Sequence, residues 1–267
     1  YRLPKGFTLS DYQNHCLEKI EKRFSKNNDI AAFIMESGAQ MAGGVIIYPK
    51  DFQKKIRELC KKYDILFVLD EIATGFGRLG SMVQYQDQKS IPDIVAYGKM
   101  LTGGYLTMAA TLANKKIYDS FSGEFNDWKH LFHGHTYTGN PIAAAVANEN
   151  LQMYKKYNLI KQVQKTSKIF EKYSQEILDM DIVGDVRHKG MLMGIELVSN
   201  KKKKTPIRTK KSINKVFFEE GKKQGIYLRT LGNIVMLVPP LSIQQNELEL
   251  LLKKTIKTIQ VAKSKTF

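Results

Sequence analysis

The stretch Ile65-Leu66-Phe67-Val68-Leu69-Asp70-Glu71 decides the fold. Its apolar part is of strand length, and an unbroken rather than alternating run predicts a strand covered on both faces, as in parallel sheets. Immediately upstream, residues 50–63 carry Phe52, Ile56, Leu59, Cys60 and Tyr63 along one stripe of helical period. Further upstream, residues 30–35 form a second unbroken run, followed by a Gly-rich loop through Gly44. Residues 11–27 before it read as an amphipathic helix begun by Ser10 or Asp11, with Leu17, Ile20 and Phe24 on one face. Downstream, residues 93–97 and 108–113 supply two more short strands. Strand, helix and strand alternate, which predicts an α/β layered, mainly parallel sheet with flanking helices.

After Asn140-Pro141 the texture changes. Long helices are predicted over 142–157 and 160–178, then short strands over 182–187, 191–198, 226–229 and 234–238, with helices over 210–224 and 244–262. This is the pattern of a smaller α+β domain. The expected division is 1–157 and 158–267, with no low-complexity linker and no internal repeat at the joint.

A chain of 267 residues with 43% hydrophobic content can bury a substantial core. Its apolar runs are far shorter than the ~20 residues needed to cross a bilayer, so no membrane partner is expected. Tyr1-Arg2-Leu3-Pro4-Lys5 does not read as a signal peptide, and the absent initial Met points to a truncated chain. Cys16 and Cys60 lie in helical patterns without CxxC or metal-ligand spacing, which predicts structural thiols in a reducing cytoplasm and no metal site. The net charge of +16 would alone suggest nucleic acid. The lysines, however, are spread over polar helix faces, and the densest run, residues 201–204, sits before a Thr-Pro turn. That distribution favours a solvated loop over a nucleic-acid partner.

In open parallel sheets ligands bind beyond the carboxyl ends of the strands. Four polar groups follow apolar runs: Glu36-Ser37-Gly38, Asp70-Glu71, Gly98-Lys99 and Gly103-Gly104. A carboxylate at the edge of an apolar sheet needs a cationic partner, so Asp70 taken alone reads as a helix cap or a buried ion pair. Lys99 taken alone reads as a solvated loop lysine. Taken together they suit a pyridoxal cofactor, which needs an amine for its aldehyde and a carboxylate beside its ring nitrogen. In an apolar site the lysine would also hold its proton less tightly, making it a better nucleophile and base.

The stretch Leu69-Asp70-Glu71-Ile72-Ala73-Thr74-Gly75-Phe76-Gly77-Arg78, followed by Pro92-Asp93-Ile94-Val95-Ala96-Tyr97-Gly98-Lys99, resembles the paired motif of class III, fold-type I aminotransferases. The similarity continues through Leu101-Thr102-Gly103-Gly104 and Phe132-His133-Gly134-His135-Thr136-Tyr137-Thr138-Gly139-Asn140-Pro141 to Arg229 and Val238-Pro239-Pro240. It therefore spans nearly the whole chain, and several ordered motifs carry it. The resemblance implies the C-terminal part of a large domain that binds pyridoxal 5'-phosphate, plus the small domain. It implies Lys99 as the residue that forms a Schiff base with the cofactor and Asp70 as the partner of its ring nitrogen. His135 and Thr136 would reach the cofactor phosphate of the neighbouring subunit in a homodimer. Gly134 would contact substrate, and Arg229 would bind its carboxylate through a planar fork. A turn before a helix remains the bland reading of His135 and Thr136, and a surface strand-end arginine that of Arg229. Glu36 is expected to support the site from behind, and His188 and Arg78 keep structural readings.

Ornithine and GABA aminotransferases typically carry a Glu just before the Gly-Gly of the first loop and a Gln after the Asp-Glu-hydrophobic triplet. Here Ala42 and Ala73 stand instead. With the arginine left unblocked, the resemblance implies the biotin-pathway branch, which converts 8-amino-7-oxononanoate to 7,8-diaminononanoate with S-adenosylmethionine, or in some members lysine, as amino donor. The alternatives are a class III aminotransferase of ω-amino acids or acylated diamines, and, from a different class, a basic nucleic-acid-binding protein. The resemblance also implies an N-terminal part outside this chain that carries the phosphate loop and the ring-stacking aromatic residue.

Overall fold

The computed structural model describes residues 3–207 and 212–266. The first half runs α1 (Leu9–Lys26), β1 (Ala32–Glu36), a small hairpin of β2 (Ala39–Gln40) and β3 (Ile46–Ile47), α2 (Phe52–Lys62), β4 (Leu66–Asp70), α3 (Gln84–Asp87), β5 (Ile94–Tyr97), β6 (Ala110–Ala113) and α4 (Lys115–Ser120). Strands β1, β4 and β5 are parallel neighbours, and β6 joins β5 antiparallel, giving the order β1-β4-β5-β6. The mainly parallel sheet is therefore as expected. Within these residues β1 and β6 are the outermost strands, and Ile34 on β1 is 70% exposed and Leu112 on β6 52% exposed.

The second half runs α5 (Pro141–Lys156), α6 (Leu159–Thr166), α7 (Lys168–Asp179), β7 (Val183–Lys189), β8 (Leu192–Asn200), β9 (Thr205–Pro206), α8 (Ile213–Lys223), β10 (Arg229–Leu231), β11 (Ile234–Leu237) and α9 (Gln245–Thr266). Its sheet is antiparallel in the order β10-β11-β8-β7, with β9 beside β8. The lysine run 201–204 forms the turn between β8 and β9.

Three boundaries differ from expectation. Helix α1 is capped by Thr8 rather than Ser10 or Asp11. The Thr8 hydroxyl accepts the Asp11 N–H at 3.2 Å and the Asp11 carboxylate accepts the Thr8 N–H at 2.9 Å, so Asp11 is the far member of a capping box. The single helix expected over 160–178 is two, because Ser167 turns its hydroxyl onto the Gln164 carbonyl at 3.2 Å and competes with the backbone ladder. The strand expected over 226–229 begins only at Arg229, where pairing with Met236 starts. The helix expected over 210–224 is α8, and positions 210 and 211 lie outside the described residues.

Most buried side chains of both halves form one cluster, from Phe24, Ile56 and Phe67 to Ile195, Phe217 and Leu252, and Ala39, Val45, Leu79 and Leu192 form a smaller second one. Cys60 is buried within it and Cys16 is half-buried; neither is in a disulfide. The two sheets are locked together at Arg78. Its buried guanidinium donates to the carbonyls of Met191 at 2.8 Å and Pro239 at 2.6 Å, and the Met191 N–H returns a bond to the Arg78 carbonyl at 2.8 Å. Among the described residues no carboxylate pairs with it, and burial brings its pKa down to about 10. The approach is so close that a Cβ on Gly190, at φ +55, would lie 2.4 Å from the Leu79 carbonyl carbon. Gly190→Ala is expected to destabilise the protein by about 3 kcal/mol, at the upper end for overpacking, since the contact is with backbone. The midpoint of urea unfolding measures it.

Candidate active site

Parallel pairing brings the carboxyl ends of β1, β4 and β5 to one edge, with Glu36 opposite Asp70 in register and Asp70 opposite Ala96. Beyond that edge lies a cavity of about 670 Å³, within the usual range for small-molecule sites. Glu36, Asp70, Lys99 and Arg229 all line it, so Asp70 and Lys99 face the same space. Its apolar wall includes Met41, Ile72, Leu231, Met236 and Val238, with Ala42 and Ala73 also on it. Both sheets therefore build the cavity, which explains why Arg229 reaches it from the far end of the chain.

Each polar group is held differently. One Asp70 oxygen accepts the Ile72 N–H at 2.8 Å, and among the described residues no cation pairs with Asp70. The partner its position calls for is not supplied by these residues, which leaves the carboxylate available to a ligand. Glu36 accepts the N–H groups of Met41 at 2.9 Å and Ala42 at 3.2 Å, so it shapes the cavity wall while also facing the cavity. The same loop is pinned from outside by Arg187, which donates to the Val45 carbonyl at 2.7 Å and pairs with Asp185 at 2.8 Å and Glu196 at 3.0 Å.

Sequence reading missed Glu71. It is fully buried, accepts the N–H groups of Gln84 at 2.9 Å and Tyr85 at 2.7 Å at the start of α3, and its carboxyl pKa is pushed up by burial. The Asp-Glu pair after an apolar run was the available signal. One member faces the cavity and the other anchors the loop that follows.

Lys99 sits at φ +44. A left-handed backbone costs a non-glycine residue of order 1–3 kcal/mol and persists only where surroundings over-determine it. Residues Lys99–Leu101 form a single helical turn, with the Leu101 N–H donating to the Gly98 carbonyl at 2.9 Å. The lysine side chain is exposed on the cavity wall.

Gly134, His135 and Thr136 do not line this cavity. They belong to an exposed segment folded on itself, where the Thr138 hydroxyl accepts the His135 N–H at 2.9 Å and His135 Nδ1 accepts the Tyr137 N–H at 3.1 Å. Among the described residues a Cβ on Gly134 would meet only the Thr138 hydroxyl at 3.6 Å, so none of them demands glycine there. His188 keeps its structural reading: its ring lies 6.0 Å from that of Phe170, and burial lowers its pKa below 6.5.

Residues 2–259 match the model of the family described as aminotransferase class-III, and the chain belongs to that family. The adenosylmethionine-8-amino-7-oxononanoate aminotransferase of Aquifex aeolicus is 40% identical over 232 residues, which cover 87% of this chain and 51% of the relative. The crystal structure of the enzyme of that name from Methanocaldococcus jannaschii superposes with a TM-score of 0.87 at 38% identity, over 92% of this chain and 57% of the other. The omega transaminase of Pseudomonas jessenii in complex with PMP superposes with a TM-score of 0.92 at 28% identity, over 100% of this chain and 59% of the other. The chain thus spans about half the length of the curated relative it matches.

A histidine held neutral by burial binds fewer protons folded than unfolded, so its contribution is present above pH 6.5 and lost as pH falls through its lowered pKa. His188→Gln is expected to flatten the loss of stability between pH 7.5 and 5.5, read from urea midpoints across that interval.

Proposed function

We propose that the protein of which this chain is part catalyses a pyridoxal-phosphate-dependent transamination, aminating 8-amino-7-oxononanoate to 7,8-diaminononanoate with S-adenosylmethionine, or lysine, as donor. The observation that carries the reading is that Asp70 and Lys99 face one cavity from successive strand tips, with Arg229 on the same wall. The residues suit the cofactor: an amine for its aldehyde, a carboxylate without a cationic partner among the described residues for its ring nitrogen, and space for a ring.

When bound, pyridoxal phosphate supplies an electron sink for the bond broken at the substrate carbon. Asp70 holds a proton on the ring nitrogen through a charge-assisted bond. Lys99 Nζ would hold the cofactor through its aldehyde, and as a free amine it would carry a proton to and from the substrate carbon. Arg229 takes the substrate carboxylate as a bidentate fork, and the apolar wall at Leu231, Met236 and Val238 covers a long hydrocarbon chain. Glu36 holds the Met41 and Ala42 amides in place from the opposite wall.

The reading includes a homodimer in which His135 and Thr136 of one copy donate to the phosphate bound by the other, with Gly134 beside the substrate. The exposed aromatic side chains of Phe125, Trp128, Phe132 and Tyr137, on that segment and in the residues just before it, support it, because apolar surface of this kind marks interfaces. Residues 1–157 would then belong to the large domain and 158–267 to the small one, in a cytoplasmic enzyme. The likeness to the omega transaminase favours a second reading, an aminotransferase of ω-amino acids or acylated diamines. Substrate profiling separates the two by preference for the oxononanoate ketone.

Lys99→Ala is expected to abolish turnover in the whole protein, assayed by amine formation; normal transamination by that variant would end the assignment. Ala42→Glu places a carboxylate on the wall shared with Arg229. It is expected to raise the KM for the oxononanoate at least about tenfold by pairing with the arginine, an effect worth ~1.4 kcal/mol, and steady-state kinetics reads it.

A further inference from the structure

We propose that Asn150 is a positioning residue for Lys99, its side-chain amide holding the turn that aims the lysine into the cavity. The proposal rests on the transamination reading. Asn150 stands on α5, and its Nδ2 donates to the carbonyls of Met100 at 2.7 Å and Leu101 at 3.1 Å, the two residues that follow Lys99. The turn's own closing bonds are longer, with the Thr102 N–H to the Lys99 carbonyl and the Gly103 N–H to the Met100 carbonyl both at 3.3 Å. The asparagine therefore ties two consecutive carbonyls of this turn to α5, while the Thr102 hydroxyl ties its exit to the Leu106 carbonyl at 2.5 Å. A second element grips the same residue, since Arg78 Nη2 lies 3.8 Å from the Met100 sulfur.

Lys99 at φ +44 needs such support, because a lysine released from its surroundings would relax out of the left-handed region and carry its amine elsewhere. Asparagine suits the task. Two N–H bonds on a single nitrogen reach adjacent carbonyls, whereas a hydroxyl brings only one. Gly103 leaves room for it, since a Cβ there would come within 3.0 Å of Asn150 Oδ1.

Helix α5 also begins directly after the 134–136 segment, with the Asn140 side chain accepting the N–H groups of Ile142 at 2.9 Å and Ala143 at 3.2 Å. The lysine turn and the segment assigned to the neighbouring cofactor phosphate are thus tied to a single helix.

The test uses the whole, cofactor-loaded protein with Asn150→Leu, which removes the amide at similar size, and Asn150→Ser, which keeps one donor. Amide hydrogen exchange is followed at Thr102 and Gly103 and along α5, together with kcat, KM and the pH midpoint of the absorbance band of the Lys99-linked cofactor. Asn150→Leu is expected to speed exchange at Thr102 and Gly103 by about tenfold or more while α5 keeps its protection. It is also expected to lower kcat about tenfold with KM nearly unchanged and to move the pH midpoint, as for a misplaced reacting group. Asn150→Ser should fall between it and the wild type. Unchanged exchange at Thr102 and Gly103, an unmoved pH midpoint, or loss of protection along the whole of α5 overturns the proposal. Borohydride reduction of the wild type, followed by peptide mapping, keeps the two readings apart. No cofactor fixed on Lys99 ends the transamination reading and this one with it, whereas a fixed cofactor with an indifferent Asn150 ends this one alone.

Discussion

The structure depends on a buried cation satisfied by carbonyl oxygens. Arg78 leaves the loop after β4, enters the boundary between the two sheets and donates to Met191 before β8 and to Pro239 after β11. Taking a guanidinium out of water is costly unless its protons find acceptors, and the main chain of the second sheet provides them. The lowered pKa of about 10 reflects that cost, yet leaves the group charged at neutral pH. Because the donor loop continues from the Asp70 strand tip and one acceptor lies just past Val238 on the cavity wall, this contact also sets how the halves of the cavity face each other.

Around that joint, each charged residue near the cavity is committed in a different direction. Glu71 turns inward and anchors the loop to the start of α3, whereas its neighbour Asp70 turns toward the cavity. Glu36 spends both carboxylate oxygens on the backbone of the Gly-rich loop, and Arg187 holds that loop from the second sheet. The wall carrying Ala42 is thereby fixed from two sides, with Arg229 lining the same cavity. Walls fixed from two sides and a lysine held in a left-handed turn are the kind of placement that preorganisation requires of a site.

Much of this was legible in the residues. Asp70, Lys99 and Glu36 follow apolar runs, and parallel pairing must bring such positions to one edge. Arg229 entered only through the family resemblance, since no local pattern tells a strand-end arginine facing a cavity from one facing water. Glu71 and Asn150 escaped because their roles lie in backbone groups far along the chain: the amides of Gln84 and Tyr85, and the carbonyls of Met100 and Leu101.

Charge within the cavity bears on the proposed homodimer. Glu36 and Asp70 contribute two negative groups, and Lys99 and Arg229 two positive ones, so the four together are balanced. A cofactor phosphate adds about two further negative charges near neutral pH. Neither cation is free to meet it on the proposed reading, since Lys99 is linked to the cofactor and Arg229 faces the substrate carboxylate. Donors for the phosphate must then come from beyond this wall. The exposed His135 and Thr136, on a segment rich in uncovered aromatic surface, have the chemistry to supply them once a second copy covers that surface. On the proposed reading each copy then adds donors to the phosphate site of the other, beside the phosphate loop that the family resemblance assigns to the N-terminal part.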